Sequence, residues 1–68
     1  MNNWQSYIFS DGNGKRADIT KIPRPGRVVF KLTITGEAMV TLFSKSYATY
    51  KQARERLAEE SESFRRIA

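Results

Sequence analysis

The sequence contains no cysteine and no histidine. Without cysteine, a disulfide framework and thiolate metal sites are excluded. Without histidine, the commonest zinc ligand and the usual general base are also missing. The longest uninterrupted apolar run is only a few residues, whereas a membrane-spanning helix needs roughly 20. We therefore expect a cytoplasmic protein that holds no metal or cofactor and does not associate with membranes.

The other residues that could support catalysis are poorly grouped. Without histidine or cysteine, a nucleophile would have to be Ser, Thr, Tyr or Lys activated by a carboxylate or an amine. Four of the seven acidic residues lie within 55–62, on one exposed helix, and the others are expected on turns or a strand edge. Gly12 and Gly14 form a Gly-x-Gly motif, but no helix follows it, so it does not predict a phosphate loop. We predict no catalytic residues and no enzymatic activity.

The length of the chain, 68 residues, fits one domain spanning residues 1–68. A chain of this size buries only about 60% of its unfolded surface, so its stability should be marginal. A second copy or another partner could help to hold it together.

Basic residues outnumber acidic ones by twelve to seven, for a net charge of +5 and an isoelectric point near 10.0. Residues 15–45 contain seven basic and two acidic residues, whereas residues 51–66 contain five and four. The excess positive charge thus lies in the first two thirds of the chain. It favours a polyanionic partner, because each neutralised phosphate releases condensed counterions.

The first third of the chain predicts a hairpin. Residues 4–9 are rich in aromatic and β-branched side chains, which is typical of a strand. The run Asp11-Gly12-Asn13-Gly14 contains two turn dipeptides. Residues 16–22 then return as a short polar edge strand or as an extended loop. Residues 22–26, which include two prolines, predict a stiff connector that carries Arg24.

A second hairpin is predicted from residues 27–35 and 38–45, turning at Gly36. The first of these strands alternates, with Val28, Phe30, Leu32 and Ile34 on the core face. The length of the turn decides which residues of the returning strand share that face. A three-residue turn places Ala38, Val40 and Leu42 in the core and places Met39, Thr41, Phe43 and Lys45 outside with Lys31. The opposite register would bury Glu37 beside Ile34, so we favour the first.

A helix is predicted over residues 50–66. Thr49 and Gln52 fit a capping box, in which the threonine hydroxyl and the glutamine side chain satisfy the first backbone amides. The apolar stripe thins beyond Leu57, so the last two turns could project and offer Phe64 and Ile67 to a partner. The predicted fold class is α+β: an antiparallel sheet of three to four strands, made of two hairpins, packed on one C-terminal helix.

The run Phe30-Lys-Leu-Thr-Ile-Thr-Gly-Glu, then Phe43, then Tyr47-Ala-Thr-Tyr-Lys-Gln-Ala resembles two related DNA-binding modules. These are the ethylene-response-factor-type domain of plants and phage-encoded homing endonucleases, and the arm-type domain of phage and transposon integrases. The resemblance covers roughly residues 27–60 and includes the capped helix with Ala53 at its fourth position. It implies a sheet laid in the major groove and a phage or mobile-element origin. On exposed sheet positions it implies DNA contacts from Arg27, Lys31, Thr33, Thr41 and Lys45.

The favoured hypothesis is a small non-catalytic protein that binds nucleic acid, in the first instance duplex DNA, through the outer sheet face. The predicted contacts are Arg24, Arg27, Lys31, Thr33, Thr41 and Lys45, because cations suit phosphates and guanine edges and hydroxyls suit either. The alternative is a protein–protein interaction module, an accessory or inhibitor protein. It would bind a second copy or a host protein through the sheet edge or through Phe64 and Ile67.

Overall fold

The computed structural model describes residues 5–68, which form one antiparallel sheet and one α-helix. The elements are β1 (Gln5–Ser10), β2 (Arg16–Arg24), β3 (Arg27–Thr35), β4 (Thr41–Tyr47), α1 (Tyr50–Glu60) and β5 (Arg65–Arg66). The strand order is β4-β3-β2-β1-β5. The predicted α+β class is confirmed, but the sheet has five strands rather than three to four. Trp4, where the first predicted strand begins, lies outside the described residues.

The first hairpin turns through residues 11–15. One carboxylate oxygen of Asp11 accepts hydrogen bonds from the backbone amides of Asn13 (2.8 Å) and Lys15 (3.0 Å). Gly12 and Gly14 have φ angles of 78° and 96°, which glycine adopts without steric cost. The returning strand β2 is neither a loop nor an edge, because β1 and β3 pair with it on its two sides. Its alternation of polar residues with Ala17 and Ile19 is that of a strand with one buried face.

The predicted connector is part of a second tight hairpin. β2 continues through Pro23 to Arg24, and β3 begins at Arg27, so the turn consists of Pro25 and Gly26 alone. Gly26 has a φ angle of 76°, as the third position of a type II turn requires. Pro23 lies beyond Lys21, which is the last β2 residue paired with the described part of β1. A proline near the end of a strand is tolerated, because fewer ladder hydrogen bonds depend on it there.

The turn between β3 and β4 differs from the predicted three-residue turn. The chain passes through a short 3₁₀ turn, Glu37–Met39, and β4 begins only at Thr41. A β-bulge follows, because Thr35 pairs with Thr41 whereas Ile34 pairs with Phe43. The extra residue, Leu42, shifts the register of the rest of β4 by one position. Phe43 therefore joins the core side, and Ala38, Val40 and Leu42, predicted as core, are exposed.

The helix begins where the capping box predicts. The Thr49 hydroxyl accepts a hydrogen bond from the Gln52 amide (3.1 Å), and the Gln52 side chain accepts one from the Ala48 amide (3.2 Å). α1 ends at Glu60 rather than at residue 66. The Ser61 hydroxyl accepts a hydrogen bond from the Ser63 amide (3.1 Å), a local bond that competes with the helical pattern.

The residues after α1 return to the sheet. Phe64 is 3% exposed and belongs to the core, so it is not offered to a partner as predicted. Beyond it, Arg65 and Arg66 pair with Ser10 and Phe9 of β1. Phe64 is buried because the helix ends before Ser61, three residues earlier in the chain. This spacing lets the Phe64 ring reach the end of the apolar layer between α1 and the sheet.

The core lies between α1 and one face of the sheet. It consists of Phe9, Ala17, Ile19, Leu32, Ile34, Ala53, Leu57 and Phe64. Five aromatic rings pack around this cluster, namely Tyr7, Phe30, Phe43, Tyr47 and Tyr50. No helix in the described part of the chain combines the length and the hydrophobicity needed to cross a membrane.

Candidate nucleic-acid interface

The sheet has one face that α1 does not cover, which we call the open face. Partners across an antiparallel ladder point to the same side. Ile19 pairs with Leu32 and both are fully buried, so their side is the covered one. The neighbouring positions belong to the open face, which comprises Ser6, Ile8 and Ser10 of β1; Arg16, Asp18, Thr20, Ile22 and Arg24 of β2; Arg27, Val29, Lys31, Thr33 and Thr35 of β3; Thr41, Ser44 and Ser46 of β4; and Arg65 of β5.

The charges on the open face are almost all positive. Asp18 is the single carboxylate there, against five basic residues, all exposed: Arg16, Arg24, Arg27, Lys31 and Arg65. Within residues 5–68 the one salt bridge joins Arg56 to Glu60 at 3.5 Å, on the helix. The five cations are therefore available to an anionic ligand without first breaking an ion pair.

Hydroxyl groups separate these cations. Thr20 donates a hydrogen bond to Asp18 (3.2 Å), and its oxygen lies 3.2 Å from that of Ser6. This chain of bonds holds the single carboxylate in place within the face. Asp18, Thr20, Lys31 and Ser46 line a depression of about 440 Å³ together with Ile22, Arg24 and Thr33.

At one end of the open face, the β2–β3 hairpin extends beyond β4 and beyond the described part of β1. The described part of β1 pairs with β2 only as far as Lys21, and β4 pairs with β3 only as far as Phe30. Beyond these points, among residues 5–68, β2 and β3 pair only with each other, from the pair Ile22/Val29 to the pair Arg24/Arg27. We call residues 22–29 the β2–β3 ribbon. Three residue pairs extend it by about 10 Å. Arg24 and Arg27 pair at its tip, and residues 19–36 contain no acidic residue.

Five of the six predicted contact residues share the open face, namely Arg24, Arg27, Lys31, Thr33 and Thr41. Lys45 does not, because it pairs with Leu32 on the covered side. Its ammonium group lies 5.5 Å from the centroid of the Tyr47 ring. Phe43, predicted on the outer face, is also on the covered side, with the Arg56 guanidinium 4.4 Å from its ring centroid. The bulge at Leu42 causes both differences.

Two cations of the open face were not predicted as contacts. Arg16 follows from a signal that is visible in the sequence, because the polar residues Arg16, Asp18 and Thr20 alternate with Ala17 and Ile19. Arg65 carries no such signal, since a two-residue strand is too short to show a period. Ile67, one of the two predicted partner contacts, is 59% exposed beside β1, whereas Phe64 is buried.

Aromatic rings are absent from the open face over residues 5–68. All seven in this range lie on the covered side or in the core: Tyr7, Phe9, Phe30, Phe43, Tyr47, Tyr50 and Phe64. Single-strand binders stack bases on exposed rings, and this part of the face presents no such ring. Residues 5–68 also contain no group of three or more acidic residues that could hold a metal ion.

No protein family, curated protein or solved structure matched this chain.

Proposed function

We propose that the chain binds duplex DNA through the open face, by contacts to phosphates and groove edges and without chemistry. The β2–β3 ribbon is the observation that carries the proposal. Its tip presents two arginines that form no ion pair within residues 5–68. The major groove of B-DNA is about 12 Å wide and admits a two-stranded β-ribbon. Five strands at about 4.8 Å spacing are too wide to enter it.

The rest of the open face then lies outside the groove. Three further cations of the open face lie along the sheet away from the ribbon: Lys31, Arg16 and Arg65. They are positioned to contact phosphates on either side of the groove. Phosphate contacts fix position and supply most of the affinity, whereas groove contacts supply discrimination. Serine and threonine hydroxyls between the cations donate to phosphate oxygens or to base edges.

Substitution of the ribbon arginines tests the proposal. Arg24→Gln and Arg27→Gln should each weaken binding to a duplex of about 20 base pairs by roughly 5–15-fold at about 50 mM salt, since each removes one counterion-releasing contact. Fluorescence anisotropy of a labelled duplex measures the change. Lys45→Gln is the matched control, because it removes the same charge from the covered side, and it should change affinity by less than about twofold. Absence of duplex binding by the parent chain at that salt concentration, or equal losses in all three variants, would contradict the proposal.

Comparison of DNA with RNA tests insertion of the ribbon separately. The major groove of A-form RNA is deep and too narrow for protein side chains to read. A duplex DNA should therefore bind more tightly than a duplex RNA of the same sequence, and the difference should disappear in Arg24→Gln/Arg27→Gln. Equal affinity of the parent chain for both duplexes would indicate phosphate binding without insertion.

A further inference from the structure

β4 forms a long free edge of the sheet. It has β3 on one side and no neighbouring strand on the other within residues 5–68. Seven residues, Thr41–Tyr47, make up this edge, and the bulge at Leu42 leaves Phe43–Tyr47 as regular strand. The unpaired amides and carbonyls of such an edge can hydrogen-bond to another extended chain.

An apolar knob lies at the first end of this edge. Four large apolar side chains are exposed in the described part of the chain, and two of them are here: Val40 (55%) and Leu42 (52%). A third, Met39 (82%), lies over the open face, where it lines a depression with Ile8, Arg16 and Thr35. Ala38 and Met39 hold the turn with φ angles of 58° and 62°. For residues with a Cβ, this conformation costs roughly 1–2 kcal/mol each. Clustered exposed apolar groups of this kind mark interaction surfaces.

An apolar depression lies at the other end of the same edge. It has a volume of about 380 Å³, and its lining is mostly apolar: Val28, Val29, Tyr47 and Ala48, together with Arg27 and Ser46. It exists because β4 ends at Tyr47 while β3 continues along the β2–β3 ribbon. The knob and the depression are therefore separated by the length of β4, about 24 Å at 3.4 Å per residue.

We propose that the β4 edge binds the β4 edge of a second copy of this chain, antiparallel, around a two-fold axis at Ser44. Antiparallel pairing reverses one strand, so the knob of each copy reaches the depression of the other. This register brings Val40, which lies beyond the bulge, near Ala48 of the second copy. A two-fold interface requires such self-complementarity, because the same surface is used twice.

The side chains of β4 favour the same register. If α1 lies on the same side of the sheet in both copies, the two residues of each pair across the interface must point to the same face. This condition is met only when the two-fold axis passes through a residue, which then pairs with the same residue of the second copy. An axis at Ser44 sets Lys45 opposite Phe43 of the second copy, whereas an axis at Lys45 would oppose two like charges directly. The groove between β4 and α1 carries Lys45 and Arg56 as well as Glu55 and Glu59. Both signs of charge thus face the second copy, and each can pair with its opposite.

Disulfide cross-linking tests the register directly, because the chain has no cysteine of its own. In Ser44→Cys the two Cα atoms would lie about 4.5–5.5 Å apart across an antiparallel pair, within the range of about 4.4–6.8 Å that a disulfide allows. A mild oxidant should cross-link this variant at least about tenfold faster than Ser46→Cys, the register control, or Ser63→Cys, an exposed site away from β4. Equal rates in the three variants would overturn the proposed register.

Sedimentation equilibrium tests the interface without cross-linking. The pairing is small, so half-association is expected at on the order of 10–100 µM, with the mass rising from 7.8 kDa towards twice that value. Val40→Lys at the knob and Ala48→Lys at the depression should each raise the dissociation constant by about tenfold or more. Both residues are exposed, so thermal unfolding should confirm that each variant is folded.

Ile67→Lys is the matched control for Val40→Lys, since Ile67 is equally exposed (59%) but lies at the opposite edge of the sheet. It should leave the dissociation constant within about twofold of the parent value. A parent chain that remains monomeric up to about 500 µM would overturn the proposal. So would association that Ile67→Lys abolishes and Val40→Lys does not.

Discussion

Ala38 holds a left-handed backbone conformation, with φ 58° and ψ 26°, in the turn before β4. Its Cβ makes this conformation unfavourable by roughly 1–2 kcal/mol, a cost that glycine does not bear. Glycine also loses more chain entropy on folding, by about 0.5–1 kcal/mol relative to alanine. The first effect is the larger, so alanine at this position lowers the stability of the fold.

Ala38→Gly should therefore raise the free energy of unfolding by about 0.5–1 kcal/mol. Ala58→Gly makes the same chemical change on the exposed face of α1, where the conformation is already favourable, and it should lower that energy by about 1 kcal/mol. Urea titrations followed by circular dichroism measure both. Destabilisation by Ala38→Gly would contradict the strain assigned to the turn.

For the strands and the helix, the features that depend on neighbouring residues were predicted better than those that depend on contacts between distant residues. The capping box located the start of α1, because its hydrogen bonds are between residues four positions apart or less. Alternation located β3 to the residue, since one of its faces is buried. The register of β4 could not be predicted, because it depends on a bulge and a longer turn that have no period. β5 pairs through backbone atoms of two arginines, whose side chains carry no strand signal.

The end of α1 shows the same limit. Phe64 continues the spacing of the helical stripe, so the sequence predicts it on the helix. The negative charges of Glu59 and Glu60 lie in the last turn, near the negative end of the helix dipole, and this proximity destabilises a longer helix. The chain leaves the helix after them and places the ring of Phe64 beneath the sheet.

Phe64 should consequently behave as a core residue. Phe64→Ala should lower the free energy of unfolding by about 3–5 kcal/mol, and Phe64→Leu, which keeps most of the volume, by about 1–1.5 kcal/mol. Ile67→Ala, three residues later and 59% exposed, should cost less than about 0.5 kcal/mol. Equilibrium unfolding in urea measures all three. Equal effects of Phe64→Leu and Ile67→Ala would contradict the burial of Phe64.

In the whole molecule, most of the excess positive charge lies on the open face of the sheet, and the helix on the other face is nearly balanced. The open face carries five cations and one carboxylate, whereas the helix carries both signs in similar number. The composition predicted that the positive excess lies in the sheet half, but it could not assign Lys45 to its face or bring Arg65 onto the sheet. The location of the open face follows from pairing between distant residues, which a single sequence does not contain.

The number of open-face cations predicts the response of duplex binding to salt. Five phosphate contacts give a slope of about −4.5 for the logarithm of the association constant against that of salt concentration. Affinity should then fall about 500-fold between roughly 50 and 200 mM salt. Arg27→Gln should reduce the slope by about 1, and Lys45→Gln should not change it. A parent slope smaller in magnitude than about 2 would indicate that most of the five cations do not contact phosphates.

The two edges of the sheet are unequal: β4 has seven residues, whereas β5 has two, both of them arginines. A sheet with two long free edges can add copies at both and grow into a fibre. Here the described part of the far edge consists of β5, with two arginines, and of Gln5–Tyr7 of β1, which β5 does not cover. An assembly that forms through β4 therefore meets only short pieces of strand at this edge. The two exposed arginines of β5 disfavour the addition of further copies there, so a concentrated solution of this protein should stay clear of fibrillar aggregates.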